Sequence, residues 1–207
     1  LDWSPDGLTL ASGSQDHTVR VWDIRQRSCR TVLTAHSALV TSVCFAPRKL
    51  ATNHHLKMLT ASGDCTLKDW ELTLDAKHAG QADRTFYGHK SWVLSCGYSS
   101  DGKRICSSSA DGTVIVWDDD SGALLYRLQM RDWVEDVAFK PSKEQAALIA
   151  AGSTEVGSWV KVVRVPDGWS SHRKWGHATV PLISVGDMCR VTRFSGAGRS
   201  AAAASLT

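Results

Sequence analysis

Three places in the chain combine the side chains of a nucleophilic hydrolase with a tryptophan. Ser12, Asp16 and Trp22, then Thr60, Asp64 and Trp70, then Ser107, Asp111 and Trp117 share one spacing: four residues from hydroxyl to carboxylate, six from carboxylate to indole. His36 and His89 stand upstream of the second and third sets. Ser, His and Asp could make an acyl-transfer triad, which needs an exposed hydroxyl beside its base and an oxyanion hole. They could equally form a buried hydrogen-bonded chain, since an indole N–H, an imidazole and a carboxylate are each costly away from water unless paired. Repetition favours the second reading. An enzyme rarely duplicates its active site, whereas this trio recurs with its Trp, so no catalytic residue is assigned.

The elements around these residues repeat with them. In the third set, Gly88-His89 leads into the apolar run Trp92–Tyr98 and the turn Ser99–Gly102. A small-residue run Arg104–Ser109, a tight Ala110-Asp111-Gly112 turn and the alternating Thr113–Asp118 follow. Short alternating runs separated by Asp-Gly chemistry predict an antiparallel meander. Successive tryptophans lie 48 and 47 residues apart, near the period of about 40–45 residues of propeller blades.

On these residues the sequence resembles the WD-repeat family across roughly residues 1–177. The resemblance implies an all-β propeller segment of about four blades, each of four antiparallel strands, open or incomplete as it stands. Blades are expected at about 1–34, 35–87, 88–129 and 130–175, with 178–207 a degenerate repeat and a disordered Gly-, Ala- and Ser-rich tail. It further implies a structural chain in each blade, indole to hydroxyl, hydroxyl to imidazole, imidazole to carboxylate. That chain carries onto His36, Thr60, Asp64 and Trp70, and onto His89, Ser107, Asp111 and Trp117. The first blade keeps Ser12, Asp16 and Trp22 without a His.

The repeats are eroded in places. Ala35-His36 replaces Gly-His, and Trp70-Glu71 replaces Trp-Asp. In the fourth blade Asp132 takes the His place, Gly157 the Asp place and Val163 the Trp place, with Ser153 surviving. Its outer strand is expected at Trp169–Trp175, and Gly176-His177 opens a fifth repeat that has no Asp turn. Leu1–Ser4 reads as the end of an inner strand, so the chain is expected to be a fragment or the product of a truncated gene model.

Other clusters carry less. His54-His55 and His78 lack helical spacing or a Cys partner, so no metal is expected. Arg25, Arg27 and Arg30 read as a solvated connection, and Asp118–Asp120 lacks the spaced oxygens of a calcium loop. Gly196–Gly198 follows no strand and opens no helix, so no nucleotide cofactor is expected. The six cysteines contain no C-x-x-C pair, which fits a reducing, intracellular setting better than a disulfide framework. A net charge of +3 without clustered Lys and Arg argues against nucleic acid, and no apolar run approaches a membrane span.

Recognition is expected at the rim. Leu39, Trp92 and Trp133 each directly precede a blade's first apolar strand, a position that the resemblance places on the top face near the channel. The two Trp, flanked by Lys90, Arg131 and Asp132, would form an aromatic, charged patch of hot-spot composition, and Gln15 and Ala110, with His17 nearby, are the other top-face candidates. The expected partners are proteins or peptides, with missing blades or another chain completing the ring. The leading expectation is a non-enzymatic assembly platform. A regulatory region of a larger protein, such as an ATPase held inactive by its repeats, and a nucleic-acid-binding propeller are the alternatives.

Overall fold

The computed structural model describes residues 1–47, 55–72, 82–130 and 132–139, with the backbone of Thr73, Ala147–Ala151, Trp159–Arg164 and Met188–Arg190. The described residues contain strands and turns and no helix. Four antiparallel sheets of four strands follow one another in sequence. Blade 1 holds β1 (Asp2–Trp3), β2 (Thr9–Gly13), β3 (Val19–Asp23) and β4 (Ser28–Leu33). Blade 2 holds β5 (Val40–Phe45), β6 (His55–Ser62), β7 (Thr66–Thr73) and β8 (Arg84–Tyr87). Blade 3 holds β9 (Val93–Tyr98), β10 (Arg104–Ser109), β11 (Thr113–Asp118) and β12 (Leu124–Gln129). Blade 4 holds β13 (Asp136–Phe139), β14 (Ala147–Ala151), β15 (Trp159–Arg164) and β16 (Met188–Arg190).

Turn chemistry explains why the strands stop where they do. Gly7 and Gly102 adopt φ of 72° and 76°, a region that glycine enters without a Cβ penalty. Ser4 Oγ and Ser99 Oγ donate to Asp6 and Asp101 at 2.6 Å, closing each turn from within. At the tighter turn blade 3 uses Gly112 (φ 75°), but blades 1 and 2 place His17 and Cys65 there, both at φ 69°. The carboxylates of Asp16 and Asp64 hold those strained residues by accepting the Thr18 and Thr66 N–H, each at 3.0 Å.

Register aligns the blades residue by residue. Trp3, Leu10 and Trp22 pair across blade 1, as Phe45, Met58 and Trp70 do across blade 2 and Tyr98, Ile105 and Trp117 across blade 3. Because strand side chains alternate, each sheet turns one such row to the blade before it and the intervening row to the blade after. The core is therefore a series of seams. Ala11, Val19, Val21 and Leu33 pack on Val43, Phe45, Met58, Trp70 and Leu72. Cys44, Leu59, Leu67 and Phe86 pack on Cys96, Ile105, Ile115 and Trp117. Cys106, Val114, Val116 and Leu128 pack on Val134, Val137 and Phe139.

One expectation is corrected. The fourth strand of blade 4 is Met188–Arg190, pairing Trp159 with Arg190 and Lys161 with Met188, not residues 169–175, which lie outside the described residues. Blade 4 therefore draws its edge strand from beyond residue 177. An edge strand is selected by backbone pairing, and short alternating runs resemble one another in hydrophobic pattern. The fifth-repeat segment and the tail fall wholly or mostly outside the described residues.

Candidate recognition rim and the fasteners beneath it

The recurrent polar residues form two complete chains. In blade 2 the Trp70 indole N–H donates to Thr60 Oγ1 at 2.9 Å. Thr60 Oγ1 lies 2.7 Å from His36 Nε2, and His36 Nδ1 lies 2.8 Å from Asp64 Oδ2. Blade 3 repeats the set: Trp117 to Ser107 at 3.0 Å, Ser107 to His89 Nε2 at 2.7 Å and His89 Nδ1 to Asp111 at 3.2 Å. A carboxylate only accepts, so Nδ1 carries the proton, Nε2 accepts from the hydroxyl, and the hydroxyl accepts from the indole. Burial pushes both imidazoles below their usual range against the pull of Asp64 and Asp111, which keeps them neutral. Burial also works to raise those two carboxyls. Donation from Thr66 and His36, and from Thr113 and the Lys90 amide, outweighs it and holds them low.

Chemistry on a substrate does not suit these groups. Thr60 and Ser107 are wholly buried, and each hydroxyl sits beneath an indole. Blade 1 differs, because Trp22 donates to Ser12 at 2.9 Å while Asp16 is exposed and bonds to Thr18 and Arg20 instead.

The fasteners shape the rim. Asp111 Oδ2 accepts the Lys90 N–H at 2.7 Å, and Asp64 Oδ2 accepts the Ser37 N–H at 3.1 Å. Each buried chain thus pins the loop that leads to Leu39 or Trp92. One peptide of the β10–β11 turn then ties two loops together. The Ala110 N–H donates to Trp92 O at 3.0 Å, and Ser109 O accepts the Val134 N–H at 3.1 Å. Gly63 N–H to Leu39 O repeats the first of these bonds one blade earlier, and Val40 N–H to Ser14 O repeats the second between blades 1 and 2. These ties between loops were not legible in the sequence, because backbone groups leave no residue signature.

The side chains on these loops divide into two kinds. Trp92 is 51% and Trp133 58% exposed, and Tyr87, shortly before Trp92 in sequence, is 75% exposed. Leu39 is half-buried against Gly63, where an added Cβ would stand 3.4 Å from its Cδ2. Lys90, Asp132, Gln15 and His17 are exposed, and Asp132 caps the Trp133 N–H at 2.8 Å. Arg131 lies outside the described residues. Tyr87 was missed; its place just before Gly88-His89 was the available signal. Among the described residues no group of three His, Cys, Asp or Glu side chains is placed to hold a metal. His55 Nδ1 is 3.7 Å from Glu71, while His54 and His78 lie outside the described residues.

Stacked four-stranded antiparallel sheets, two of them fastened by an indole–hydroxyl–imidazole–carboxylate chain, define a repeat propeller. The WD40 family, described as WD domain, G-beta repeat, matches residues 1–23, 27–68 and 80–118, about half of the chain, and the protein belongs to it. Among known proteins it is 32% identical over 115 residues to human WD repeat and SOCS box-containing protein 1, covering 56% of this chain and 25% of that protein. The zebrafish (Danio rerio) protein of the same name is 31% identical over 120 residues, 58% of this chain and 26% of its own length. Target of rapamycin complex subunit wat1 of Schizosaccharomyces pombe is 27% identical over 152 residues, 73% of this chain and 45% of its own. The chain therefore spans between a quarter and a half of the relatives it matches.

Proposed function

We propose that the protein is a non-enzymatic platform that captures protein or peptide partners on the rim around Trp92 and Trp133. The observation that carries this reading is the exposure of two indoles on loops whose backbone is pinned. Tryptophan is usually well buried, and rigid aromatic anchors at low entropic cost are what interface hot spots use. Lys90, Asp132, Gln15 and His17 would supply the polar surround, and Arg131 is proposed with them. The similarity to a complex subunit and to WD-repeat proteins supports the general role, while the partner itself is open. The cysteines of the described residues are thiols, which supports a reducing, intracellular setting.

A second contact is proposed at the open end. Trp3 is 54% exposed, and Leu8, Ile24 and Val32 are exposed with it. Their counterparts Phe45, Leu56 and Leu72 are buried under blade 1. A further blade, from the same polypeptide or another chain, would cover this face.

Affinity capture with wild type, Trp92→Ala and Trp133→Ala tests the rim. Partner recovery is expected to fall several-fold with only a small change in Tm, because about half of each indole stands in solvent. Equal recovery from all three proteins refutes the rim assignment, and a large loss of Tm returns the indoles to the core.

A further inference from the structure

The three seams are not alike. Register places Val21, Asp69 and Val116 at one position, each directed at the following blade. Val21 and Val116 are buried among apolar residues, Val21 with Phe45 and Leu72 across its seam and Val116 with Phe139 across its own. At the seam between blades 2 and 3 all three places change together. Asp69 stands for Val, Tyr98 for Phe and Asp119 for Leu72. Lys57, where blade 1 has Thr9, reaches between them.

Its ammonium lies 2.8 Å from both carboxylate oxygens of Asp119 and 3.2 Å from Asp69. The Tyr98 hydroxyl donates to Asp69 at 3.4 Å. Arg84 donates to the carbonyls of Asp119 and Asp120 at 2.6 and 3.1 Å, and its side chain occupies the space a Cβ on Gly122 would need. The side chains of Asp69 and Asp119 are 6% and 4% exposed, that of Lys57 24%. The charged and titratable groups at this joint are thus Lys57, Asp69, Arg84 and the exposed Glu71 of blade 2, with Tyr98, Asp119 and Asp120 of blade 3. Two buried carboxylates lean on one ammonium that water reaches. Removing one partner of such a set strands uncompensated charge, whereas replacing all of it with apolar side chains is often neutral.

We propose that this seam is a charge-locked joint: Lys57 holds blades 2 and 3 together, and loss of its charge opens this seam selectively. The lock also keys the order of the blades, since Lys57 and Asp69 both stand on blade 2 and it is blade 3 that presents Asp119 to the ammonium, where blade 2 presents Leu72 to blade 1. Burial works against the Lys57 ammonium, but Asp119 and Asp69 more than offset it and hold its pKa above the usual lysine value, in keeping with a permanently charged bolt.

Cysteines provide the readout. Cys44 and Cys96 are buried in this seam's apolar cluster, Cys106 is buried at the next one, and Cys29 is exposed. Labelling by iodoacetamide under native conditions, followed site by site by mass spectrometry, is expected to modify Cys29 quickly and the other three slowly. Lys57→Gln should speed Cys44 and Cys96 at least tenfold and leave Cys106 as it was. The variant Lys57→Thr, Asp69→Val, Tyr98→Phe, Asp119→Leu, which copies the seam between blades 1 and 2, should return both to wild-type rates. The joint is refuted if Lys57→Gln leaves Cys44 and Cys96 protected, or if Cys106 accelerates equally. It is refuted too if the fourfold variant labels as fast as Lys57→Gln.

Discussion

Ser107 Oγ is fully buried, accepts from an indole and donates to an imidazole, so its removal strands two buried groups. Ser107→Ala should cost about 2–3 kcal/mol, since each orphaned group forfeits its desolvation energy. Ser12→Ala should cost under about 1 kcal/mol, because Ser12 and Trp22 are only half-buried and water replaces the lost bond. Urea denaturation of both variants measures the difference, and equal losses would mean the buried chain is not what stabilises blade 3. Gly88 makes a second point at this scale. An added Cβ would stand 2.7 Å from the Trp117 ring, so Gly88→Ala should destabilise by about 1–3 kcal/mol through overpacking. A near-neutral result by the same measurement would show that the ring can move aside. The Gly of Gly-His is therefore a packing requirement in blade 3, while Ala35 is exposed in blade 2.

Blades gain or lose stability with pH through their fasteners. His36 and His89 are held below 6.5 by burial, so the folded state prefers them neutral. Their contribution is full above pH 6.5 and is lost as pH falls below it towards the depressed folded values. Asp64 and Asp111, held below 3.8 despite burial, contribute above pH 3.8 and lose that contribution as pH falls further. Asp69 has the opposite sign: burial raises its carboxyl against the pull of Lys57, so its contribution grows as pH falls through the raised value towards 3.8. Thermal melts should show a plateau above about pH 7 and a decline beginning near the unfolded His pKa of about 6.5. In His36→Asn, His89→Asn the first decline should flatten; an unchanged slope would place the proton uptake elsewhere.

At the scale of the whole molecule, packing is graded from one end. Blade 1 is covered on one face by blade 2, and its other face carries exposed Trp3, Leu8, Ile24 and Val32. Blade 3 is packed on both faces. Segments with few buried contacts open at lower free energy, so native-state hydrogen exchange should be faster in β2 and β3 than in β10 and β11. Uniform protection across the three blades would contradict this picture. A partner that covers the open face should slow exchange there before it affects blade 3, because each repeat is stabilised mainly by its neighbours.

Much of this was legible from residue types alone. Hydroxyl, carboxylate and indole at fixed spacing imply a repeated need for buried pairing, and Asp-Gly turns between alternating runs imply short antiparallel strands. Those are local consequences of side-chain chemistry and backbone sterics, so the sequence by itself determined the blade, the family and the residues that meet in blades 2 and 3, while Asp16, expected among them in blade 1, stands exposed. Tertiary structure decided which faces meet. It showed that the indoles of Trp92 and Trp133 stand in solvent and that Leu39 lies down on Gly63. It took the edge of blade 4 from Met188–Arg190, and it brought Lys57, Asp69 and Asp119 into one seam across 62 residues of chain. Contacts of that kind depend on geometry between distant segments, which residue type and spacing do not encode.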